Sequence, residues 1–281
     1  MEIGKLHVLL KALETGNLTR TAEETGYTQS GITHMMRSIE RTWGVTLLLR
    51  SHEGVSPTSD ARELLPFIRE ACAAAERLDD RVNAILGLET GSVRVGSINS
   101  VSSHMLSPVI GRFSELHPLI DVNVRTGDYD LIEAWILDGS IDIGITKTPT
   151  DARIESIELI RDDFRVVLPR EHRLAAARTV RPEDLEDEPF IMIDVGANNE
   201  FEEFFRTYDV PPNVRFRVKD DFTAMSMVEN GLGVSLMAEL VLTRQPYDVE
   251  VRELASPSHR TITASFLPAA ATSTAVRAFL Q

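Results

Sequence analysis

The sequence is poor in the residues that build disulfide frameworks and metal centres. It has one cysteine, Cys72, in 281 residues, so no disulfide can form within one chain. A lone cysteine is more often a small core residue than a nucleophile, and it suits a reducing compartment. The seven histidines are scattered, and none stands at metal-ligand spacing from another histidine or the cysteine. We therefore expect no metal and no other cofactor.

The sequence also lacks the motifs of membrane insertion and of common catalysis. No apolar run approaches the roughly 20 residues that a membrane span needs. The first 13 residues carry Glu2, Lys5 and Lys11 among apolar positions, unlike a signal peptide. There is no Gly-x-Ser-x-Gly elbow and no Gly-x-x-x-x-Gly-Lys loop. These absences predict a cytoplasmic protein that is not an enzyme and has no membrane partner.

Charge is distributed unevenly along the chain, whose net charge is −14. Residues 1–57 hold six basic and six acidic residues, whereas the remainder holds 23 basic and 37 acidic ones. The N-terminal segment has no basic excess, so its charge alone does not demonstrate nucleic-acid binding. The acidic remainder discourages non-specific contact with DNA and leaves affinity to a few placed contacts.

Helical spacing of apolar residues predicts three helices in the first 42 residues. We expect Thr19 to cap a short helix over residues 20–25 and Thr28 to cap a longer one over residues 29–42. Gly26 stands between them, where a tight turn needs a residue free to adopt positive φ. Two helices joined by a short glycine turn are typical of a helix-turn-helix.

The helix over residues 29–42 separates its apolar and polar side chains onto opposite faces. Glutamine can pair with adenine, arginine with guanine, and serine or threonine with either, so the polar face suits the major groove. A helical bundle with a solvated polar face has the same spacing and stays open as an alternative. The candidate DNA contacts are Thr19, Arg20, Thr28, Gln29, Ser30, Thr33, His34, Arg37 and Arg50.

Two further N-terminal elements are predicted after these helices. Residues 43–57 indicate two short strands around a turn at residues 52–54, a hairpin "wing" from which Arg50 can reach a phosphate. Residues 58–88 predict one long helix, capped by Thr58, with an apolar stripe suited to pairing with a second helix. That helix could instead pack on its own chain. We favour dimerisation, because two-fold operators need two-fold proteins.

From Gly91 onward, strands and helices alternate, which predicts a two-lobed α/β domain with a largely parallel sheet. We expect a polar loop over residues 97–103, a helix over 104–116, and separate strands over 154–160 and 164–168. The predicted first lobe takes about residues 91–163 and 266–281, and the second about 164–265. Ligands of such sheets bind beyond the carboxyl ends of the strands, which places a site in the cleft between the lobes.

The loops predicted to line this cleft are rich in hydroxyl and amide groups near a helix N-terminus, a combination that suits a carboxylate or another anion. Lys147 would add a positive charge. Each residue taken singly is equally well explained as a solvated loop or capping residue, but the set favours a binding site. The candidate effector contacts are Asn99, Ser100, Ser102, Tyr129, Thr146, Lys147, Asn198, Phe222 and Thr223.

The N-terminal residues that carry these predictions form a recognisable signature. Residues 16–24 and 28–33, together with Ile39-Glu40, Gly44-Val45, Leu47 and Arg50, resemble the N-terminal signature of LysR-type transcriptional regulators. Residues 137–144 and 228–234 resemble segments of the effector domain of that family. Departures from the family pattern stand at Thr21, Thr25, Ser30, Gly31 and Leu48.

The resemblance implies three parts of the chain. These are an N-terminal all-α winged helix-turn-helix over residues 1–58, a linker and dimerisation helix over 59–88, and a C-terminal α/β two-lobed periplasmic-binding-protein-like domain over 89–281. It implies a regulator that binds a pseudo-palindromic double-stranded DNA operator and a small-molecule effector. It also implies antiparallel pairing of linker helices in a homodimer or homotetramer. A solute-binding protein without DNA function is the alternative, and it explains the lobes but not residues 1–88.

Overall fold

A computed structural model describes residues 2–52, 54–86, 90–196 and 199–281. Contacts divide the chain into two units. The first runs to Gly91 and includes Leu137–Ser140, and the second holds Ser92–Ile136 and Ile141–Gln281. The finer domain limits at residues 58 and 88 stay predictions. Among the described residues, no helix combines the length and the apolar character needed to cross a membrane.

The first unit has the elements that the sequence predicts for it. Three helices are followed by an antiparallel hairpin and a long helix, so the helix-turn-helix, the wing and the long helix are confirmed. The elements are α1 (Ile3–Thr15), α2 (Leu18–Thr25), α3 (Gln29–Trp43), β1 (Leu48–Ser51), β2 (Gly54–Pro57) and α4 (Ser59–Ile85).

The cap of α2 differs from the prediction. Asn17 is the N-cap, because its side-chain oxygen accepts hydrogen bonds from the backbone N–H groups of Thr19 at 2.9 Å and Arg20 at 3.2 Å. The helix therefore begins at Leu18, and the prediction that Thr19 caps it is wrong. Asparagine in extended backbone is among the best N-caps, and its side chain reaches the free N–H groups of the first turn.

The turn into α3 agrees with the sequence. Gly26 has φ 73°, the left-handed conformation predicted for it. The Thr28 hydroxyl accepts a hydrogen bond from the Gly31 N–H at 3.1 Å, which confirms Thr28 as the cap. Thr58 similarly accepts from the Ala61 N–H at 3.0 Å at the start of α4.

The core of the first unit forms from the predicted apolar stripes. Leu6 and Leu9 of α1 are buried against Ile32 and Met36 of α3. Full burial of each such side chain contributes roughly 1.5–3 kcal/mol. Because these residues occupy one side of α3, its polar side faces away from the core.

Two backbone attachments hold the wing. One Glu40 carboxylate oxygen accepts hydrogen bonds from the N–H groups of Leu47 at 2.8 Å and Leu48 at 3.2 Å, joining α3 to β1. On the other strand, the Val55 N–H donates to the carbonyl of Gly16 at 2.8 Å. A side chain at Gly54 would lie 2.1 Å from that same carbonyl oxygen, so glycine is required there. The wing is thus fixed to the ends of two helices.

The second unit contains most of the first lobe and all described residues of the second. The helical stretch after its first strand passes through one π-helical segment, Ser102–Leu106, without a break. The elements are β3 (Gly91–Ser97), α5 (Asn99–Val101), α6 (Ser107–Leu116), β4 (Ile120–Thr126), α7 (Tyr129–Leu137), β5 (Ile143–Lys147) and β6 (Glu155–Pro169).

The second lobe follows β6, and the chain then returns to the first lobe. Its core is rich in phenylalanine, with Phe190 and Phe205 packed edge to face at 4.9 Å between ring centroids. The elements are β7 (Thr179–Val180), β8 (Pro189–Ile193), α8 (Glu200–Thr207), β9 (Asn213–Val218), α9 (Asp221–Glu229), β10 (Ser235–Ala238), α10 (Glu239–Leu242), β11 (Val249–Leu254), β12 (His259–Phe266) and α11 (Thr274–Phe279).

The main sheet has the strand order β4-β3-β5-β12-β6-β11-β7, and β10 also pairs with β6. Strands β3 and β5 are parallel, but β12 runs antiparallel to both β5 and β6. The predicted largely parallel sheet is therefore wrong, and the sheet is mixed. The reason is that β6 and β12 carry the chain between the lobes in opposite directions. A separate parallel pair, β8 and β9, lies in the second lobe.

Two predicted boundaries in this unit are corrected. Residues 154–168 were expected to form two strands, but β6 is one strand that pairs with β12 along its first half and with β10 and β11 along its second. The predicted loop over residues 97–103 is also wrong, because the helical stretch begins at Asn99. Val101 and Leu106 are buried, and this burial extends the helix beyond what the local polar sequence suggests.

Glu40 offers a test of how the wing is attached. We expect Glu40→Ala to destabilise the first unit by about 1–3 kcal/mol, since two backbone N–H groups lose a charged acceptor. Glu40→Gln should cost less, because it keeps one acceptor oxygen. Denaturant titration of the full chain, followed by Trp43 fluorescence in a Trp135→Phe background, measures the change. The exposed Glu23→Ala is the control, and an equal loss in both alanine variants would contradict this role of Glu40.

Candidate functional site

The polar face of α3 is open to solvent. Gln29, Ser30, His34 and Arg37 are exposed, and Thr33 is half-buried. The apolar residues of the same helix are buried in the core of the first unit. The structure therefore brings these predicted DNA contacts together on one accessible helix face.

The hydroxyls at the start of α3 have structural partners of their own. The Thr28 hydroxyl, which caps the helix, also lies 3.1 Å from the Ser30 hydroxyl. A capping oxygen that already accepts the Gly31 N–H is less available to a base than the amide of Gln29. Thr28 therefore has a structural role in capping α3, whereas the Gln29 side chain is exposed.

The remaining candidates for DNA contact lie on α2 and on the wing, and all three are exposed. Arg20 forms an ion pair with Glu24 at 2.8 Å, and that hydrogen bond raises the pKa of Arg20. Hydrogen bonds from Lys11 and Arg20 lower the pKa of Glu24. Thr19 lies in the first turn of α2, and Arg50 lies on β1, opposite Val55 of β2.

A second candidate site is a cavity of ≈ 440 Å³ within the second unit. First-lobe residues Asn99, Ser100 and Tyr129 line one side of it. Asp194, from the second lobe, lies on the other. Its size is in the lower part of the roughly 300–1,000 Å³ typical of small-molecule pockets. Three of the predicted effector contacts therefore share one cavity wall.

Arg260, on β12, also lines this cavity and is buried. Its Nε donates to Asp162 at 2.9 Å, Nη1 donates to the Tyr129 hydroxyl at 3.0 Å, and Nη2 donates to the Ser100 hydroxyl at 3.0 Å. Burial alone would lower the pKa of Arg260, but Tyr129, Asp162 and Glu200 raise it above its usual value. The guanidinium therefore stays charged inside the protein.

The Tyr129 hydroxyl connects Arg260 to the second lobe. It donates a hydrogen bond to Oε1 of Glu200, the first residue of α8, and accepts one from Arg260. Burial raises the pKa of Tyr129 well above 10, so this hydroxyl is neutral over the physiological range. The Tyr129 hydroxyl therefore stays protonated and remains a hydrogen-bond donor to the Glu200 carboxylate.

Lys147 approaches the same carboxylate from the end of β5. Its ammonium lies 3.8 Å from Oε2 of Glu200 and 4.3 Å from the centroid of the Tyr129 ring, a cation–π distance. Oε2 of Glu200 is buried and has no hydrogen-bond partner among the described residues. We call Arg260, Asp162, Tyr129, Ser100, Lys147 and Glu200 the Arg260 cluster.

The other predicted effector contacts lie elsewhere. Ser102 and Thr146 have buried hydroxyl oxygens without a hydrogen-bond partner in the described part of the chain, and neither lines the cavity. Phe222 and Thr223 are exposed in the first turn of α9, away from the cavity wall. Asn198 lies outside the described residues. Among those that are described, no histidine, cysteine or acidic side chains are grouped to hold a metal ion.

Sequence reasoning missed Arg260, Asp162 and Glu200. Asp162 lies between Arg161 and Asp163, and this run of three charged residues resembles a solvated break between strands. The available signal was a pair of oppositely charged residues, Asp162 and Arg260, in two strands whose neighbouring residues include buried apolar ones. Their register, in which Arg260 faces Asp162, comes only from the sheet.

Two family models match the chain. Residues 3–62 match the model described as "Bacterial regulatory helix-turn-helix protein, lysR family", and residues 86–281 match "LysR substrate binding domain". Residues 63–85, which form most of α4, lie between the two matched segments.

Individual proteins agree with these models. The HTH-type transcriptional regulator YvbU of Bacillus subtilis is 29% identical over 265 residues, which cover 93% of this chain and 90% of that protein. A full-length OxyR variant from Pseudomonas aeruginosa has a TM-score of 0.78 at 19% identity, covering 99% of this chain and 93% of its own.

The LysR family regulator CbnR, solved in complex with its target DNA, has a TM-score of 0.71 at 20% identity, covering 100% of this chain and 98% of its own. At these identities the likeness to solved structures shows the shared fold: an N-terminal helix-turn-helix with a linker helix and a mixed α/β C-terminal domain. The chain belongs to the LysR family and is a DNA-binding transcriptional regulator with an effector-binding domain, not an enzyme.

Proposed function

We propose that this regulator reads a pseudo-palindromic operator through α3 and adjusts its DNA binding when a small molecule enters the cleft between its lobes. The proposal that α3 reads DNA rests on the orientation of this helix. Its apolar face is buried in the first unit, and its polar face is exposed. An exposed face with glutamine, histidine and arginine donors suits base edges in a major groove. The regulator would act in the cytoplasm.

For the effector, we propose binding in the cavity lined by Asn99, Ser100 and Tyr129. A cavity of ≈ 440 Å³ between two lobes allows a ligand to alter the angle between them. Because a ligand shifts an equilibrium only through different affinities for its states, the effector must contact both lobes. The buried charge of Arg260, which donates to the Ser100 hydroxyl, and the Lys147 ammonium over the Tyr129 ring support an anionic effector.

We also propose that α4 pairs antiparallel with its copy in a homodimer, which can associate further into a homotetramer. Several large apolar side chains of this helix and its end are exposed, and an isolated helix gains nothing from exposing them. Pairing would bury them and give the two-fold symmetry that a palindromic operator requires. They are Phe67 at 68%, Leu78 at 64%, Val82 at 46%, Ile85 at 74% and Leu86 at 67% exposed.

Base reading by Gln29 gives one prediction. Gln29→Ala should weaken binding to the specific operator by roughly 1–3 kcal/mol, because a bidentate contact to a base is lost. Binding to random-sequence DNA should change little. Gel-shift titration with a fragment of the upstream intergenic DNA and with random DNA measures both. An equal loss on the two DNAs would refute base reading by Gln29.

Arg50 on the wing gives a second prediction. Arg50→Ala should weaken binding to all sequences alike and lower the slope of log affinity against log salt by about 1, since one phosphate contact is lost. Gel shifts at several salt concentrations measure the slope. Arg206→Ala, an exposed arginine in the second lobe, is the control. A slope that Arg50→Ala leaves unchanged would exclude a phosphate contact by this residue.

The pairing of α4 gives a third prediction. Ile85→Asp should raise the dimer dissociation constant at least tenfold, because a carboxylate would have to be buried in an apolar seam. Sedimentation equilibrium of the full chain measures this constant. Asp79→Asn, an exposed position on the same helix, should leave it within about twofold. If both variants dimerise as the wild type does, α4 does not pair through Ile85.

A further inference from the structure

The Arg260 cluster has the composition of a carboxylate-binding site, and a carboxylate already occupies it. The Glu200 carboxylate receives a hydrogen bond from the Tyr129 hydroxyl, lies 3.8 Å from the Lys147 ammonium and lies 3.9 Å from Nη1 of Arg260. Two cations and one hydroxyl donor therefore surround this single carboxylate and hold it in place.

This contact joins the two lobes. Tyr129 and Lys147 belong to the first lobe, whereas Glu200 begins α8 of the second lobe. Asp162 and Arg260 stand opposite each other on β6 and β12, the two strands that carry the chain between the lobes. The Glu200 carboxylate of the second lobe is therefore bound by side chains of the first lobe.

The fit of Glu200 to this site is incomplete. Its Oε1 is hydrogen-bonded, but its buried Oε2 has no hydrogen-bond partner among the described residues, and the Lys147 ammonium lies 3.8 Å from it. A buried acceptor left without a donor costs free energy. A freely positioned carboxylate could satisfy both oxygens better than one fixed to the start of a helix.

The cluster adjoins the cavity, because Ser100, Tyr129 and Arg260 belong to both. A molecule in the cavity can therefore reach the donors that hold Glu200. The rest of the cavity wall includes Asp128 and Asp194, whose oxygens accept hydrogen bonds. The remainder of the bound molecule would carry donors such as hydroxyl or amino groups.

We propose that the effector is a small carboxylic acid whose carboxylate takes the place of the Glu200 carboxylate between Tyr129, Lys147 and Arg260. The inference rests on the proposed effector site in the cleft. Replacing Glu200 would release the start of α8 from the first lobe while the effector makes its own contacts there. Binding would thereby be tied to the angle between the lobes.

Chemical rescue tests this proposal in the full chain. Glu200→Ala removes a group the size of acetate, so sodium acetate should bind where the side chain was. We expect this variant to melt at a lower temperature than the wild type. Acetate at several times its dissociation constant should raise its melting temperature by about 2–4 °C relative to sodium chloride at equal ionic strength.

Matched variants identify the site of rescue. Glu203→Ala removes the same group from an exposed position of α8 and should respond to acetate only as the wild type does. Adding Lys147→Met to Glu200→Ala should abolish the acetate-specific rise. An equal acetate response in Glu200→Ala and Glu203→Ala would overturn the proposal, and so would a rise that persists without Lys147.

Glu200→Gln keeps the test decisive if the alanine variant does not fold. Its uncharged side chain has nearly the same shape, so acetate would compete with an amide instead of a carboxylate. We expect a larger acetate response than in the wild type, and the same response in both would refute the carboxylate subsite.

Gel shifts of the wild type separate the carboxylate subsite from the proposed function. Operator binding without acetate rescue refutes only the subsite, whereas absence of operator binding refutes the proposed function.

Discussion

The effector-binding domain depends on one buried ion pair, between Arg260 and Asp162. The two side chains are 7% and 2% exposed and face each other on β12 and β6. Removing one partner of a buried pair typically costs about 3–5 kcal/mol, because the other charge stays buried without compensation. Here the pair lies on β6 and β12, the strands that join the lobes. The interaction that stabilises these strands therefore also fixes the position of Arg260, which lines the cavity.

The remaining bonds of this pair determine what surrounds it. Arg260 extends to Ser100 and Tyr129 of the first lobe, and Asp162 accepts the backbone N–H of Leu240 at 2.9 Å at the start of α10. A single ion pair thus sets the positions of groups from both lobes. These partners are charged groups or strong donors in a buried site. Small movements of the lobes therefore change the electrostatic interaction energies between them strongly.

The first unit follows a different principle, in which each element is fixed locally and the polar face of α3 is left free. Asn17 and Thr28 cap their helices within three residues, and Glu40 holds the wing through backbone N–H groups only seven and eight residues away. A helix-turn-helix and wing held by such short-range contacts do not need contacts with the effector domain to keep their shape.

The sequence by itself determined the helix-turn-helix, the wing and the long helix, because their signals are apolar spacing and capping residues that act over a few positions. It also predicted that Asn99, Ser100 and Tyr129 lie close together, and they line one cavity, since the ends of strands and the starts of helices are local features. Only the tertiary structure decided that β6 is one strand, because Asp162 is tolerated there through a partner 98 residues away. Likewise, the meeting of Tyr129 with Glu200, 71 residues apart, depends on how two lobes pack, and no local pattern encodes that packing.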